Sequence, residues 1–155
     1  PFWPDKEKLP AAGELRARGV KLHLLCGRPG KELIYAESGY GAATQKGYAW
    51  SGWSLPVYHA RAGADEAAIL LTVPKGAAGL VRVFVIDPDN FEGGRQEKLS
   101  IAGQDFGPIT GFQEGKWIEC PIGADKTADG KVPVLATNLR KGSNAVISIV
   151  EWVEK

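Results

Sequence analysis

Along most of the chain apolar and polar residues alternate with a period of two, the pattern of half-buried β-strands. It predicts strands at 20–26, 33–38, 47–52, 55–60, 67–73, 80–87, 96–102, 116–122, 132–138 and 145–153. Turn signals such as RPGK, PKGAAG, QEGK, ADGK and RKGSN lie between them. In LSIAGQ, Leu99 and Ile101 are expected to point inward with Lys98 and Ser100 outward, and VISIVEWVE places Ile147, Ile149 and Val153 on one side. LVRVFVI is apolar on both faces apart from Arg82, which predicts a central strand covered on both sides. The one helical signal is a short turn at AGELRAR near the start. Short strands about every 8–12 residues, with no helix-length amphipathic stretch between them, predict an all-β protein, either a sandwich or a barrel.

Composition narrows the partners. The 155 residues suit one domain, and 19 basic against 18 acidic side chains leave a formal charge of +1 with no Lys/Arg run, which argues against nucleic acid or an anionic membrane as partner. Apolar runs such as AAILLTV and AGLVRVFVI fall short of the roughly 18 residues of a spanning helix. The chain has no methionine and opens PFWPDKEKLPAAG, which reads as a segment of a longer protein. Cys26 and Cys120 both fall on apolar strand faces, so buried free thiols are favoured over a disulfide between them. His23 and His59 are far apart, neither G-x-S-x-G nor H-x-x-x-H occurs, and no carboxylate pair is singled out; the reading is that of a non-enzyme without an organic cofactor.

Two stretches carry candidate chemistry. GYAWSGWSLPVYHA crowds aromatic rings between glycines and Pro56, and a strand over 47–52 would put Tyr48 and Trp50 on one face with Trp53 on the other. DPDNFEGGRQ, directly after the central strand, gathers Asp87, Asp89, Asn90, Glu92 and Arg95 around two glycines that supply left-handed conformations for a sharp excursion. A sugar offers a C–H face to an aromatic plate and hydroxyls to a polar rim. Tyr40, Tyr48, Trp50, Trp53 and Tyr58 are candidate plates; Asp89, Asn90, Glu92, Arg95, Gln96 and Asn144 are candidate rim groups. Core burial competes for Trp50 and Trp53, and is favoured for Trp152; Trp117 is expected to cover an edge strand. Asp87, Asp89 and Glu92 could hold a structural calcium, but they lack a fixed Ca²⁺-loop register, so a turn capped by Asp side chains, with Arg95 pairing to Asp87 or Glu92, is favoured.

The succession LVRVFVIDPDNFEGGRQEKLSIAGQDFG, GFQEGKWIECPIG and DGKVPVLATNLRKGSNAVISIVEWVE resembles the C-terminal half of galactose-binding-like modules, the jelly-roll group that includes many carbohydrate-binding modules. The resemblance covers residues 33–155 and leaves 1–32 as a linker, an extra edge strand or a remnant of a neighbouring domain. It implies a two-sheet antiparallel β-sandwich, non-catalytic, secreted to an extracellular or periplasmic space and covalently linked to a carbohydrate-active enzyme. It also implies a poly- or oligosaccharide held by loops at one end, with Tyr40 in the first loop and Asn144 near the last. The chain departs from those relatives that hold calcium with an acidic pair in an EAE-like opening, since YAESG offers Glu37 alone. A ligand-free spacer of the same fold is the alternative, and a glycoside-active enzyme a more distant one.

Overall fold

In the computed structural model, which describes residues 9–27, 33–50 and 60–154, period-two alternation becomes strands nearly wherever it occurs. The expectations for Trp53, Tyr58, His59 and most of the strand at 55–60 lie outside the described residues. Helix α1 (Ala12–Ala17) comes first, followed by β1 (Val20–Leu25), β2 (Leu33–Ala36), β3 (Gly41–Lys46), β4 (Tyr48–Trp50) and β5 (Ala60–Gly63). Then come β6 (Glu66–Thr72), β7 (Gly79–Val85), β8 (Glu97–Ile101), β9 (Gln104–Ile109), β10 (Lys116–Ile122), β11 (Lys131–Asn138), β12 (Ala145–Ile147) and β13 (Ile149–Val153). All pairings are antiparallel. One sheet has the order β10-β7-β13-β1-β2, the second β3-β6-β11-β8-β9, and a three-stranded sheet, β12-β5-β4, completes the set.

The core lies between the two larger sheets. Leu22, Leu24, Val81, Val83, Val150 and Trp152 of the first meet Ile69, Leu71, Leu99, Ile101, Val132 and Val134 of the second. Leu99 and Ile101 are fully buried, as the alternation in LSIAGQ predicts, and β7 lies between β10 and β13 with both faces covered. Trp152 is core, and Gly79 makes room for it: a Cβ there would fall 2.7 Å from the indole. Cys26 and Cys120 are both buried, and no disulfide joins them to each other.

Three expectations change. The strand at 145–153 is two strands: the alternation breaks at Ser148, so Ile147 joins the central core while Ile149 and Val153 turn to the outer face of the first sheet. Strands β3 and β9 appear where no strand is expected. Both are sheet edges; β3 is half-buried to exposed throughout, and β9 carries a Gly-Pro pair, so neither shows the apolar alternation of a covered strand. Third, β1 is neither linker nor edge: it pairs with β13 on one side and β2 on the other, so the sheet takes in the chain from Val20.

The outer face of the first sheet carries a polar row. Tyr35, His23, Glu151, Arg82 and Glu119 stand in register across β2, β1, β13, β7 and β10. Glu151, 1% exposed, has His23 Nδ1 2.6 Å from Oε2, and accepts hydrogen bonds from Arg82 Nη1 at 2.7 Å and from both Nη groups of Arg18 at 3.0 and 3.3 Å. Arg82 Nε also donates to Glu119 at 2.7 Å, and the Trp117 ring covers the guanidinium at 4.1 Å while leaning on Phe84. Trp117 thus covers the edge strand β10 from the sheet's outer face, as expected. Apolar rows flank the charges, Leu25–Ile149–Phe84 on one side and Val20–Val153–Leu80 under Leu15 of α1 on the other.

At the end of the sandwich where β1 begins and β13 finishes, Glu154 Oε2 accepts from Tyr40 Oη at 2.6 Å and from Trp152 Nε1 at 2.7 Å. The Glu154 backbone N–H donates to Gly19 O at 2.9 Å, which ties the last described residue to the entry of β1.

Burial pushes the Glu151 carboxyl upward, but the hydrogen bonds and charges of His23 and Arg18 outweigh it and hold the group at about 2, below its ordinary 4.5. A lowered folded value means stability that is present above pH 4.5 and is lost as pH falls toward 2. Glu151→Gln, which removes the charge that buried Arg82 Nη1, Arg18 and His23 share, should cost about 3–5 kcal/mol in urea denaturation at pH 7, with the deficit shrinking toward pH 2. A deficit that did not shrink in acid would show that the charge of Glu151 is not what stabilises the row.

Candidate functional site

Strand direction decides which loops share an end. β7 and β10 are antiparallel neighbours, and the turn after Val85 brings Asp87 to Phe112, whose carbonyl accepts the Asp87 N–H at 2.9 Å. The excursion from 87 to 95 is built on positive φ at Asn90, Glu92, Gly93 and Gly94. Asp87 caps it from inside: Oδ2 accepts the Arg95 N–H at 2.8 Å and Oδ1 the Phe91 N–H at 3.3 Å. The Arg95 side chain then closes the loop. Its Nη1 donates to Asp87 Oδ1 and to Asp89 Oδ1 (2.7 Å), its Nε donates to Asn144 Oδ1 at 2.8 Å, and its guanidinium lies 4.8 Å from the Phe91 ring centre. The sequence reading of a capped turn with Arg95 paired to an acid of the loop holds, with Asp87 rather than Glu92 as the partner. Asp87 and Asp89 spend the named oxygens on the Arg95 guanidinium, and Asp87 also on the backbone N–H groups of Phe91 and Arg95.

Facing this loop is the small sheet. Tyr48 and Trp50 alternate on β4 and pair with Ala62 and Ala60 of β5; Ala62 pairs in turn with Val146 of β12. These side chains and the loop enclose a pocket of about 240 Å³ lined by Tyr48, Trp50, Asp89, Phe91, Arg95 and Asn144, with Ala60 and Ala62 among its apolar lining. The alanines make the depth: on a strand face any larger side chain would occupy that space. Asn144 Nδ2 donates to Tyr48 Oη at 3.3 Å, so one hydrogen-bonded line runs from Tyr48 through Asn144 and Arg95 to the two aspartates. Tyr48 is 52% exposed and Trp50 half-buried, the positions of accessible rings.

The structure brings together Tyr48, Trp50, Arg95, Asn144 and Asp89 of the sequence candidates. It separates Tyr40. Strand β2 runs away from the pocket, so the loop after it turns at the opposite end, where Tyr40 is held by Glu154; burial and that carboxylate push its phenol upward. Asn90 and Glu92 sit on the turn but do not line the pocket, and Asn90 Oδ1 accepts from Gln113 at 2.7 Å. Phe91 is a lining ring that sequence reasoning missed; its place beside the Arg95 guanidinium was signalled only by the turn residues around it.

Among the described residues no group of three or more His, Cys, Asp or Glu side chains is arranged to hold a metal. Beneath the pocket Glu97 is fully buried, with Oε1 accepting the Val146 N–H at 2.9 Å and Oε2 without a hydrogen-bond partner. Burial drives its carboxyl up to about 8, against the pull of the Val146 N–H and the charge of Arg95.

The sequence matches no family model and no curated protein sequence at a significant level. Solved structures do match in fold. A β-glucuronidase from Bacteroides uniformis superposes with a TM-score of 0.64 at 11% identity, over 93% of this chain and 19% of that one. The ANXUR1 extracellular domain of Arabidopsis thaliana follows at 0.60 and 13%, over 86% and 42%. A family 35 carbohydrate-binding module from Clostridium thermocellum overlaps more loosely, at 0.42 and 10%, over 75% and 91%. The chain thus spans about a fifth and two-fifths of the first two, and at these identities the likeness is one of fold. That fold is an all-β, antiparallel jelly-roll sandwich.

Two outcomes follow for the loop and the floor. Because Glu97 keeps its proton to about pH 8 while the unfolded chain loses it near 4.5, folding is penalised increasingly as pH rises between those values. Glu97→Gln should therefore raise the melting temperature at pH 8 and leave it unchanged at pH 4; an equal shift at both would rule out this titration. Arg95→Ala leaves the buried Asp87 carboxylate unpaired and should cost about 3–5 kcal/mol in chemical denaturation.

Proposed function

We propose that this chain is a non-catalytic carbohydrate-binding module that holds a glycan in the pocket between β4 and the 87–95 loop. The observation that carries the reading is the juxtaposition in one concave site of accessible rings, Tyr48 and Trp50, with the polar line Asn144–Arg95–Asp89. Rings desolvate the C–H face of a sugar, and a fixed row of donors and acceptors reads its hydroxyls. The polar line is already oriented by its internal hydrogen bonds, so little side-chain freedom remains to be lost on binding. The fold supports the same reading through the sequence resemblance to carbohydrate-binding modules. The module serves a carbohydrate-active enzyme to which it is covalently joined, in an extracellular or periplasmic space. No helix of the described residues is long and apolar enough to cross a membrane.

Among the described residues the pocket lining holds no pair of carboxylates placed as acid and base, so binding without bond cleavage is the expected behaviour: retention of polysaccharide in affinity gels with no release of reducing ends. Tyr48→Ala and Trp50→Ala should each weaken binding by about 1–2 kcal/mol, roughly tenfold or more, in titration calorimetry. Tyr48→Ala, at an exposed position, should leave the melting temperature within a few degrees of the parent, on the order of 0.5 kcal/mol. Ala62→Leu should abolish binding by filling the pocket. Silence of the parent protein across a broad glycan array would favour the spacer.

A further inference from the structure

We propose that the pocket selects uncharged sugar rings and rejects uronic acids, with Asp89 as the residue that enforces the choice. The inference rests on the carbohydrate-binding reading above and adds the class of sugar. Among the described residues Arg95 is the only cationic side chain lining the pocket, and it does not act as a free positive charge. Its Nη1 is engaged by Asp87 and Asp89 and its Nε by Asn144, so one guanidinium faces two carboxylates within the protein. What it retains is a donor, Nη2, which has no hydrogen-bond partner among the described residues. Asp89, whose side chain is 28% exposed, gives Oδ1 to Arg95 and keeps Oδ2 as an acceptor.

A donor beside an ionised acceptor suits hydroxyls, because each hydroxyl can accept from the guanidinium and donate to the carboxylate. A uronate carboxylate can only accept. Against Asp89 it has nothing to donate, and it meets a like charge that Arg95 has already spent itself neutralising. Asp87 adds to the negative side, and Glu97 below adds a further charge only as pH rises past about 8. Lys46, Arg61 and Arg140, other cations of this end, are directed elsewhere: Lys46 to Glu66, Arg61 to Gly47 O and Arg140 to Gly94 O.

The test uses pairs of methyl glycosides that differ only at C6: glucoside against glucuronide, and galactoside against galacturonide. They are titrated into the full chain at pH 6.5 and low salt, with binding followed by protein NMR shifts. For at least one pair the neutral member should bind about tenfold more tightly or better. In Asp89→Asn the gap should close to about threefold or less, chiefly through gain of uronide affinity. Independently of any variant, raising the salt to about 0.5 M should narrow the gap in the parent protein by screening the repulsion. A uronide that binds the parent as well as its neutral partner overturns the selection, as does a gap that neither salt nor Asp89→Asn reduces, while the carbohydrate reading survives both. If no glycoside of either class and no polysaccharide on an array binds, the carbohydrate reading itself fails and the selection with it.

Discussion

Glu151 is the residue around which the first sheet is organised. Its carboxylate stands on the middle strand of five, where burial would ordinarily expel a charge. It persists because groups from β1, β7 and the residue following α1 converge on its two oxygens. The geometry that satisfies it is demanding: His23, Glu151, Arg82 and Glu119 must stand opposite one another on four adjacent strands. A slip of one residue between any two would turn one partner into the apolar core and leave the other buried alone. The row therefore fixes register in a sheet whose aliphatic rows, on their own, would tolerate sliding.

That fixed register reaches the pocket through β7 and β13. β7 ends at Val85 and delivers Asp87 to its carbonyl partner on Phe112; β13 is entered from β12 through Ser148, whose N–H donates to Phe84 O and whose carbonyl accepts from Cys26. One arm thereby carries Asp87, Asp89, Phe91 and Arg95, and the other carries Asn144 and Val146. The hydrogen bond between Arg95 and Asn144 joins them. The pocket owes its shape to two short arms leaving one rigid sheet, with β4 and its rings laid across the gap by pairing to β5.

Legibility in the sequence followed the strength of the local constraint. LVRVFVI, covered on both faces, is a continuous apolar run and KWIECPI alternates, so both are readable; β3, whose residues are exposed or half-exposed, carries almost no such constraint and is not. The shared face of Tyr48 and Trp50 follows from period two, and the capped turn follows from Asp and Gly chemistry, so most of the pocket could be named in advance. Tyr40 could not be placed, because which end of a sandwich a loop occupies depends on strand direction, a property of pairings between residues far apart. The row on Glu151 is hidden for the same reason: His23, Arg82, Glu119 and Glu151 lie on four separate strands and meet only when the sheet aligns them. The break at Ser148 was hidden because VISIVEWVE alternates plausibly in either phase.

The tie made by Glu154 has a bearing on how the domain can be mounted. By joining Tyr40, Trp152 and the entry of β1, it gathers α1 and the last described residues at the end of the sandwich opposite the pocket. An attachment made at Glu154 would therefore sit at the far end of the sandwich from the pocket. Anything fixed there would leave the mouth between Tyr48 and Asp89, at the other end of the sandwich, uncovered.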